Sequence, residues 1–148
     1  MAYTNAISSY RETRVITASQ GQLIIMLYDE TVKQLDKGLE LLSLSTGGKK
    51  DPGNIEKISK AILKAQEIIT ELTVSLDFEQ GGDIAKNLFS LYTWFNKELV
   101  ESNISHDVRR ITQVRNQLSE LKSAWTEVAS KNNSETAGKA ITGVNIAG

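Results

Sequence analysis

Residues 76–95 read LDFEQGGDIAKNLFSLYTWF and decide the fold of this chain. A helical pattern of apolar residues runs into two adjacent glycines, Gly81 and Gly82, and a second helical pattern starts immediately after them. Two helices joined by so short a link must lie side by side and antiparallel. The sequence therefore predicts a helical hairpin with its turn at Gly81-Gly82.

Apolar residues recur at spacings of three and four through four segments, which is typical of helices with one buried face. A capping box of Ser19 and Gln22 opens the first helix, and Ser105 is the predicted N-cap of the fourth, with Asp107 in its first turn. The predicted stripes of the first two helices are Ile25, Tyr28, Val32, Leu35, Leu39 and Leu42, then Ile55, Ile58, Ile62, Ala65, Ile69, Leu72 and Leu76. Those of the last two are Ile84, Leu88, Leu91, Phe95 and Leu99, then Ile111, Val114, Leu118, Leu121, Trp125 and Val128.

These patterns predict an all-α fold, an antiparallel up-down four-helix bundle. The bundle is expected over residues 19–130, after a short N-terminal lid segment over residues 1–18. A flexible tail is expected over residues 131–148, where the sequence becomes small and polar. The regular second helix leaves open a coiled-coil dimer of helical hairpins, and with it the choice between monomer and dimer.

The composition argues against several kinds of partner and location. The net charge of this 148-residue chain is −1, so no long-range field favours nucleic acid or an anionic membrane. The longest apolar run, residues 23–28, is far too short to cross a bilayer, so no direct membrane insertion is expected. The N-terminal residues lack the pattern of a secretory signal, and cysteine is absent. We therefore expect a cytoplasmic protein.

The sequence predicts no catalytic site, cofactor site or metal site. Its single histidine, His106, has no glutamate three residues before it, so the ligand pattern of di-iron bundles is missing. The glycine-rich stretch at Gly47 lacks the Gly-Lys-Ser/Thr end of a phosphate-binding loop. We therefore expect no enzymatic activity. A histidine-containing phosphotransfer module, also a four-helix bundle, stays open as an alternative, with His106 as its phosphate acceptor.

A surplus of apolar residues in the first helix points to partner binding. Residues 23–28, LIIMLY, are all apolar, although a bundle helix hides only one broad stripe. At about 100° per residue, Leu23, Met26 and Leu27 are predicted to point away from the core stripe. These side chains need a cover that the four stripes do not supply.

The third helix repeats this surplus, with Phe89 and Trp94 outside its stripe. Two alternatives stay open for what buries these apolar side chains. The N-terminal segment, which carries Ile7, Tyr10 and Val15, can fold back over the exposed residues. Alternatively, the apolar face of a helix from another protein covers them. Both covers can apply in turn, with the segment acting as a displaceable lid.

Several short stretches, taken in their order along the chain, closely resemble the flagellin export chaperones, the FliS family. They are Tyr10 with Val15, the run QLIIMLYD at residues 22–29, the GGDIA motif at residues 81–85 with its flanking residues, and Ala124-Trp125. The resemblance implies a helical bundle of the bacterial cytoplasm without enzymatic activity. It also implies binding to the C-terminal region of newly made flagellin, which blocks premature polymerisation and holds the subunit ready for the flagellar export gate. A co-chaperone or a flagellin assembly factor is left open as a further partner.

The resemblance also implies positions for partner binding. The N-terminal apolar residue and tyrosine of the family correspond to Ile7 and Tyr10, and its apolar run corresponds to residues 23–27. With the aromatic surplus of the third helix added, the predicted partner-binding residues are Ile7, Tyr10, Leu23, Met26, Leu27 and Phe89. This sequence departs from the family at Glu30-Thr31, where glycine followed by alanine or leucine is common, so charge and bulk are expected beside the groove.

Overall fold

The computed structural model describes residues 20–44 and 52–141, and the side chains of residues 21–44 and 52–131. Four helices account for nearly all of them: α1 (Gln20–Leu44), α2 (Pro52–Val74), α3 (Phe78–Ser105) and α4 (Val108–Ile141). The all-α prediction is therefore confirmed. The predicted lid over residues 1–18 lies outside the described residues.

The helices form a ring in which each packs beside its neighbours in the chain and α4 returns to α1. Side-chain hydrogen bonds fix the direction of the pairs. Between α2 and α3, Asn96 donates to Thr70 at 3.3 Å and Asn103 to Ser59 at 3.3 Å. Between α1 and α4, Arg115 donates to Asp36 at 2.8 Å, and Lys122 lies 2.7 Å from the carboxylate of Asp29. The paired numbers run in opposite directions, which confirms the antiparallel up-down bundle, with α1 diagonal to α3.

The core lies where the four apolar stripes meet. Each fully buried leucine or isoleucine contributes about 1.5–3 kcal/mol through removal of apolar area from water. The largest fully buried side chains are Tyr28, Tyr92, Phe95, Leu35, Ile58, Ile62, Ile69, Leu72, Leu99, Ile111, Leu118 and Val114. All of them except Tyr92 belong to the predicted stripes.

On α3 and α4, four side chains lie differently from the prediction. The side chains of Ile84 and Val128 were expected in the core but are 69% and 48% exposed. Tyr92, absent from the predicted stripe, is buried at 2% exposure. Trp94 was expected away from the core but packs against it, with its ring centroid 5.8 Å from that of Phe95. The buried face of α3 is therefore rotated relative to the predicted one.

The turn between α2 and α3 lies earlier than the predicted one, at residues 75–77 instead of at the two glycines. Asp77 is the N-cap of α3, and its carboxylate accepts hydrogen bonds from the backbone N–H groups of Glu79 at 3.0 Å and Gln80 at 3.1 Å. The prediction of a turn at Gly81-Gly82 is therefore wrong in position. Gly82 instead breaks the helix after its first turn, with φ 50° and ψ −125°.

We expect Gly82→Ala to destabilise the protein by about 1–3 kcal/mol, because its backbone conformation disfavours L side chains although no neighbouring atom would meet the new Cβ. The matched control is Gly38→Ala, in the helical part of α1, where the new Cβ would lie 3.9 Å from Ala61 and Ile62. That substitution should stabilise the protein by about 0.5–1 kcal/mol. Urea unfolding measures both changes, and equal effects of the two variants would contradict this account.

The link between α3 and α4 consists of residues 106–107, after the predicted N-cap. His106 ends α3 in a left-handed conformation, with φ 55°, and its backbone N–H donates to the carbonyl of Ser102 at 2.6 Å. Asp107 accepts hydrogen bonds from the N–H groups of Arg109 at 3.0 Å and Arg110 at 3.3 Å. The N-cap of α4 is therefore Asp107, and the prediction of Ser105 in that role is wrong. The backbone of α4 then continues past the predicted bundle boundary to Ile141.

Candidate functional site

The predicted partner-binding residues of α1 do not all lie on the surface. Leu23 is buried at 5% exposure, so the expectation that it points outwards is wrong. Leu27 is half-buried and packs against the core, whereas Met26 is half-buried without belonging to the core cluster of the described residues. Ile7 and Tyr10 lie outside the described residues. Of the three α1 residues predicted to bind a partner, Met26 is therefore the one that is partly exposed and outside the core cluster.

The departure from the family at Glu30-Thr31 lies differently from what was expected. Thr31 is fully buried, and its hydroxyl donates to the backbone carbonyl of Leu27 at 2.8 Å. Its bulk is therefore accommodated inside the bundle and not on a surface groove. Glu30 is exposed and accepts a hydrogen bond from Gln34 at 2.9 Å.

Phe89 lies on α3 and is 46% exposed, as the sequence predicted. Its ring packs edge-to-face on Phe78, with centroids 6.0 Å apart, so the two rings hold the first turn of α3 against the helix body. Because α1 and α3 are diagonal in the bundle, Phe89 and the apolar run of α1 do not form one groove between adjacent helices.

An apolar groove instead lies between α3 and α4, the two adjacent helices that pack least closely. It encloses about 310 Å³. We call it the α3–α4 groove, and it is lined by Ile84, Leu88, Leu121, Ala124, Trp125 and Val128. The exposed side chains of Ile84 and Val128, which were predicted to be core residues, form its two rims.

A second depression, of about 390 Å³, adjoins this groove at the end of the bundle where α2 turns into α3. We call it the end depression; it shares Ile84, Leu88 and Trp125 with the α3–α4 groove. Its remaining lining comes from Ile24, Leu72, Ser75, Leu76, Asp77, Gly81, Ala85 and Tyr92. Ile24 is therefore the residue of the α1 apolar run that lines this surface. The two depressions form one continuous, mainly apolar surface on all four helices and the α2–α3 turn.

A buried hydrogen-bond network lies beneath this surface. The hydroxyl groups of Tyr28 on α1 and Tyr92 on α3 are hydrogen-bonded across the centre of the bundle. The indole Nε1–H of Trp125 on α4 donates to the Tyr28 hydroxyl at 3.3 Å. Burial raises the pKa of Tyr28 and of Tyr92 above their ordinary value of 10. The network thus ties three helices together at the floor of the groove.

These raised pKa values predict a loss of stability at alkaline pH. In the unfolded chain both phenols ionise near pH 10, while the folded protein keeps them protonated. Their contribution is therefore fully present below pH 10 and is lost as the pH rises above it. We expect urea unfolding midpoints to fall above pH 10, and Tyr28→Phe or Tyr92→Phe to reduce that fall. An unchanged pH dependence in both variants would contradict the assignment.

A separate depression of about 350 Å³ lies between α2 and α3 at the opposite end of the bundle. It is lined by Ile55, Ser59, Leu63, Gln66, Val100, Asn103, Ile104 and His106. Since the sequence alternative requires a phosphate-accepting histidine within a helix body, the position of His106 in the interhelical link does not match that requirement.

The described residues contain no group of three or more histidine, cysteine, aspartate or glutamate side chains that could hold a metal ion. Within the same part of the chain, no helix is long and apolar enough to cross a membrane. The fold and the continuous apolar surface define a helical bundle suited to binding an apolar segment of another protein.

Comparison with known proteins identifies the family. The family model described as Flagellar protein FliS matches residues 3–132, so the chain belongs to this family. The resemblance found in the sequence is thereby confirmed. Membership of a family of flagellar secretion chaperones supports a role in flagellar export and implies a non-enzymatic function.

Individual relatives cover most of the chain. It is 33% identical to the Flagellar secretion chaperone FliS of Salmonella typhimurium over 121 residues, which are 81% of this chain and 84% of the relative. It is 35% identical to the Flagellar secretion chaperone FliSB of Pseudomonas aeruginosa, over 80% of this chain and 87% of the relative. A crystal structure of a bacterial flagellar chaperone superposes with a TM-score of 0.66 at 19% identity, covering 86% of this chain and 98% of that one, and shows the same fold.

Proposed function

We propose that this protein binds the C-terminal region of monomeric flagellin in the bacterial cytosol, prevents its premature polymerisation and keeps it competent for export. The family supports an export chaperone, and the observation that carries the finer proposal is the continuous apolar surface of the α3–α4 groove and the end depression. Ile84 stands 69% exposed where the two depressions meet, so it offers apolar surface to a partner seated there.

The shape of this surface suits an amphipathic segment. A helix lying in a groove presents apolar side chains at intervals of three and four residues, and the groove offers apolar residues from two adjacent helices along its length. A specific interface buries at least about 1,000 Å². Ordering a segment that is disordered when free costs about 2–5 kcal/mol of the interaction energy. The partner must therefore extend beyond the groove itself onto neighbouring surfaces.

The six residues predicted from the sequence remain proposed contacts, although they differ in how exposed they are in the fold. Met26 and Phe89 offer partly exposed apolar surface on α1 and α3. Leu23 and Leu27 would contribute mainly by shaping the helix surface around them. We further propose that the loaded complex docks on the flagellar export gate, and that a co-chaperone or flagellin assembly factor binds elsewhere on the bundle.

Calorimetric titration of the full chain with the C-terminal peptide of the host's flagellin tests this proposal. We expect saturable one-to-one binding with a dissociation constant of tens of micromolar or lower. A peptide of the same composition in scrambled order should give no binding. Absence of detectable binding of the native peptide in that range, or equal binding of the scrambled one, would refute the proposal.

A further inference from the structure

We propose that Tyr28 is a positioning residue for partner binding, which holds the indole of Trp125 in the orientation that the groove requires. The proposal rests on the proposed function for its partner. Tyr28 itself is fully buried and lies on α1, so it has no contact with a segment seated between α3 and α4. Its influence on the partner must pass through Trp125.

Trp125 occupies the junction of the binding surface. It is half-buried, packs against the core on one side, and lines both the α3–α4 groove and the end depression. Only Ile84 and Leu88 share that double position, and both are small and aliphatic by comparison. Trp125 is therefore the largest side chain that the two depressions share.

Besides its packing against the core, the indole of Trp125 is held by one hydrogen bond to a described residue. An indole has one hydrogen-bond donor and no acceptor, and in the structure this Nε1–H donates to the hydroxyl oxygen of Tyr28 at 3.3 Å. If that acceptor is removed, the indole must either leave its donor unsatisfied against the core or rotate the donor towards the open groove. A rotation brings a large ring across the surface on which the partner would lie.

The acceptor is itself held in place. The hydroxyl of Tyr28 is hydrogen-bonded to that of Tyr92, and the two rings have centroids 6.3 Å apart within the core. Thr31, three residues further along α1, carries another fully buried hydroxyl, which donates to the carbonyl of Leu27 at 2.8 Å and lines neither depression. Thr31→Val therefore supplies a control: it removes one buried hydroxyl from the same helix, but only Tyr28→Phe removes the acceptor of the indole.

The experiment compares Tyr28→Phe with Thr31→Val in the full chain. The readouts are the indole N–H resonance and hydrogen exchange of Trp125, with Trp94 as internal reference, and the dissociation constant for the flagellin peptide. We expect Tyr28→Phe to speed exchange at Trp125 and to weaken peptide binding by roughly 3- to 10-fold. We expect Thr31→Val to leave both measurements close to those of the parent.

Every other outcome contradicts either the positioning role or the proposed function. Unchanged binding by Tyr28→Phe, or equal weakening by both variants, overturns the positioning role while leaving the proposed function intact. Failure of the parent protein to bind the peptide refutes the proposed function, and the positioning role falls with it. A third variant, Trp125→Phe, provides a double-mutant cycle: adding Tyr28→Phe to it should have no further effect on binding, and an additive loss would overturn the inference.

Discussion

Replacing Phe95 by alanine is expected to lower the free energy of unfolding by about 3–5 kcal/mol, a large part of the stability of a domain of this size. The side chain is fully buried in the central cluster to which all four helices contribute. Its ring lies between two other aromatic rings of α3, with centroids 6.4 Å from Tyr92 and 5.8 Å from Trp94. Removing it leaves a cavity that rings held on a rigid helix cannot fill by collapse.

The matched control is Phe89→Ala, which removes the same atoms from the same helix at a position that is 46% exposed. Its ring contacts Phe78, so its loss should cost about 0.5–1.5 kcal/mol. Urea unfolding followed by circular dichroism measures both variants. Similar losses from the two substitutions would show that α3 is not buried along the face assigned here.

The fold was predictable because hydrophobic periodicity needs no knowledge of partners. A stripe at spacings of three and four predicts a helix with one buried face, and short links make neighbouring helices antiparallel. In α1, this reasoning placed Tyr28, Val32 and Leu35 correctly in the core. The pattern is redundant over more than five turns, so an error at one residue does not alter the helix.

The buried face of α3 was predicted less well because two stripes compete there. One runs through Ile84, Leu88 and Leu91, and another runs through Ala85, Leu88 and Tyr92. Hydrophobicity alone favours the first, since isoleucine and leucine are more apolar than alanine and tyrosine. The structure uses the second, with Ala85 at 3% and Tyr92 at 2% exposure. The available signal was the hydroxyl of Tyr92, which is hydrogen-bonded to that of Tyr28 on α1.

The same competition between two stripes explains why the sequence does not predict the α3–α4 groove. The sequence places Ile84 and Val128 in the core, so the predicted binding surface omits them and consists mainly of the surplus apolar residues of α1. A single sequence cannot distinguish a leucine buried in the core from an exposed leucine that a partner covers, since both are apolar at helical spacing. The sequence thus predicts Leu23 on the surface and Ile84 in the core, whereas the structure buries Leu23 and exposes Ile84. The rotation of α1 and of α3 about their axes decides which of them is buried.

The position of the turn was missed for a local reason. Adjacent glycines are a strong turn signal, yet Asp77 followed by Phe78 and Glu79 carries the cap that starts a helix. Both signals are used in the structure. The aspartate begins α3, and Gly82 re-aims the helix one turn later, which places Ile84 on the rim of the end depression.

Ile84→Asp is expected to weaken binding of the flagellin peptide by roughly 30- to 150-fold, or about 2–3 kcal/mol, because it places an unpaired carboxylate within the apolar contact. Folding should survive, since the side chain is 69% exposed and an acidic residue near the start of α3 interacts favourably with the helix dipole. Calorimetric titration with the peptide measures the loss, and circular dichroism measures the helical content.

The same substitution at Ile104, on the same helix, separates binding from general damage. Ile104 is 82% exposed and lines the depression at the opposite end of the bundle. An aspartate there lies near the end of α3, where the helix dipole opposes it, so any general loss of stability would affect the control before the test variant. We expect Ile104→Asp to bind the peptide as the parent does. If both variants lose binding equally, the partner lies along the whole of α3; if only Ile104→Asp loses it, the groove belongs at the other end of the bundle.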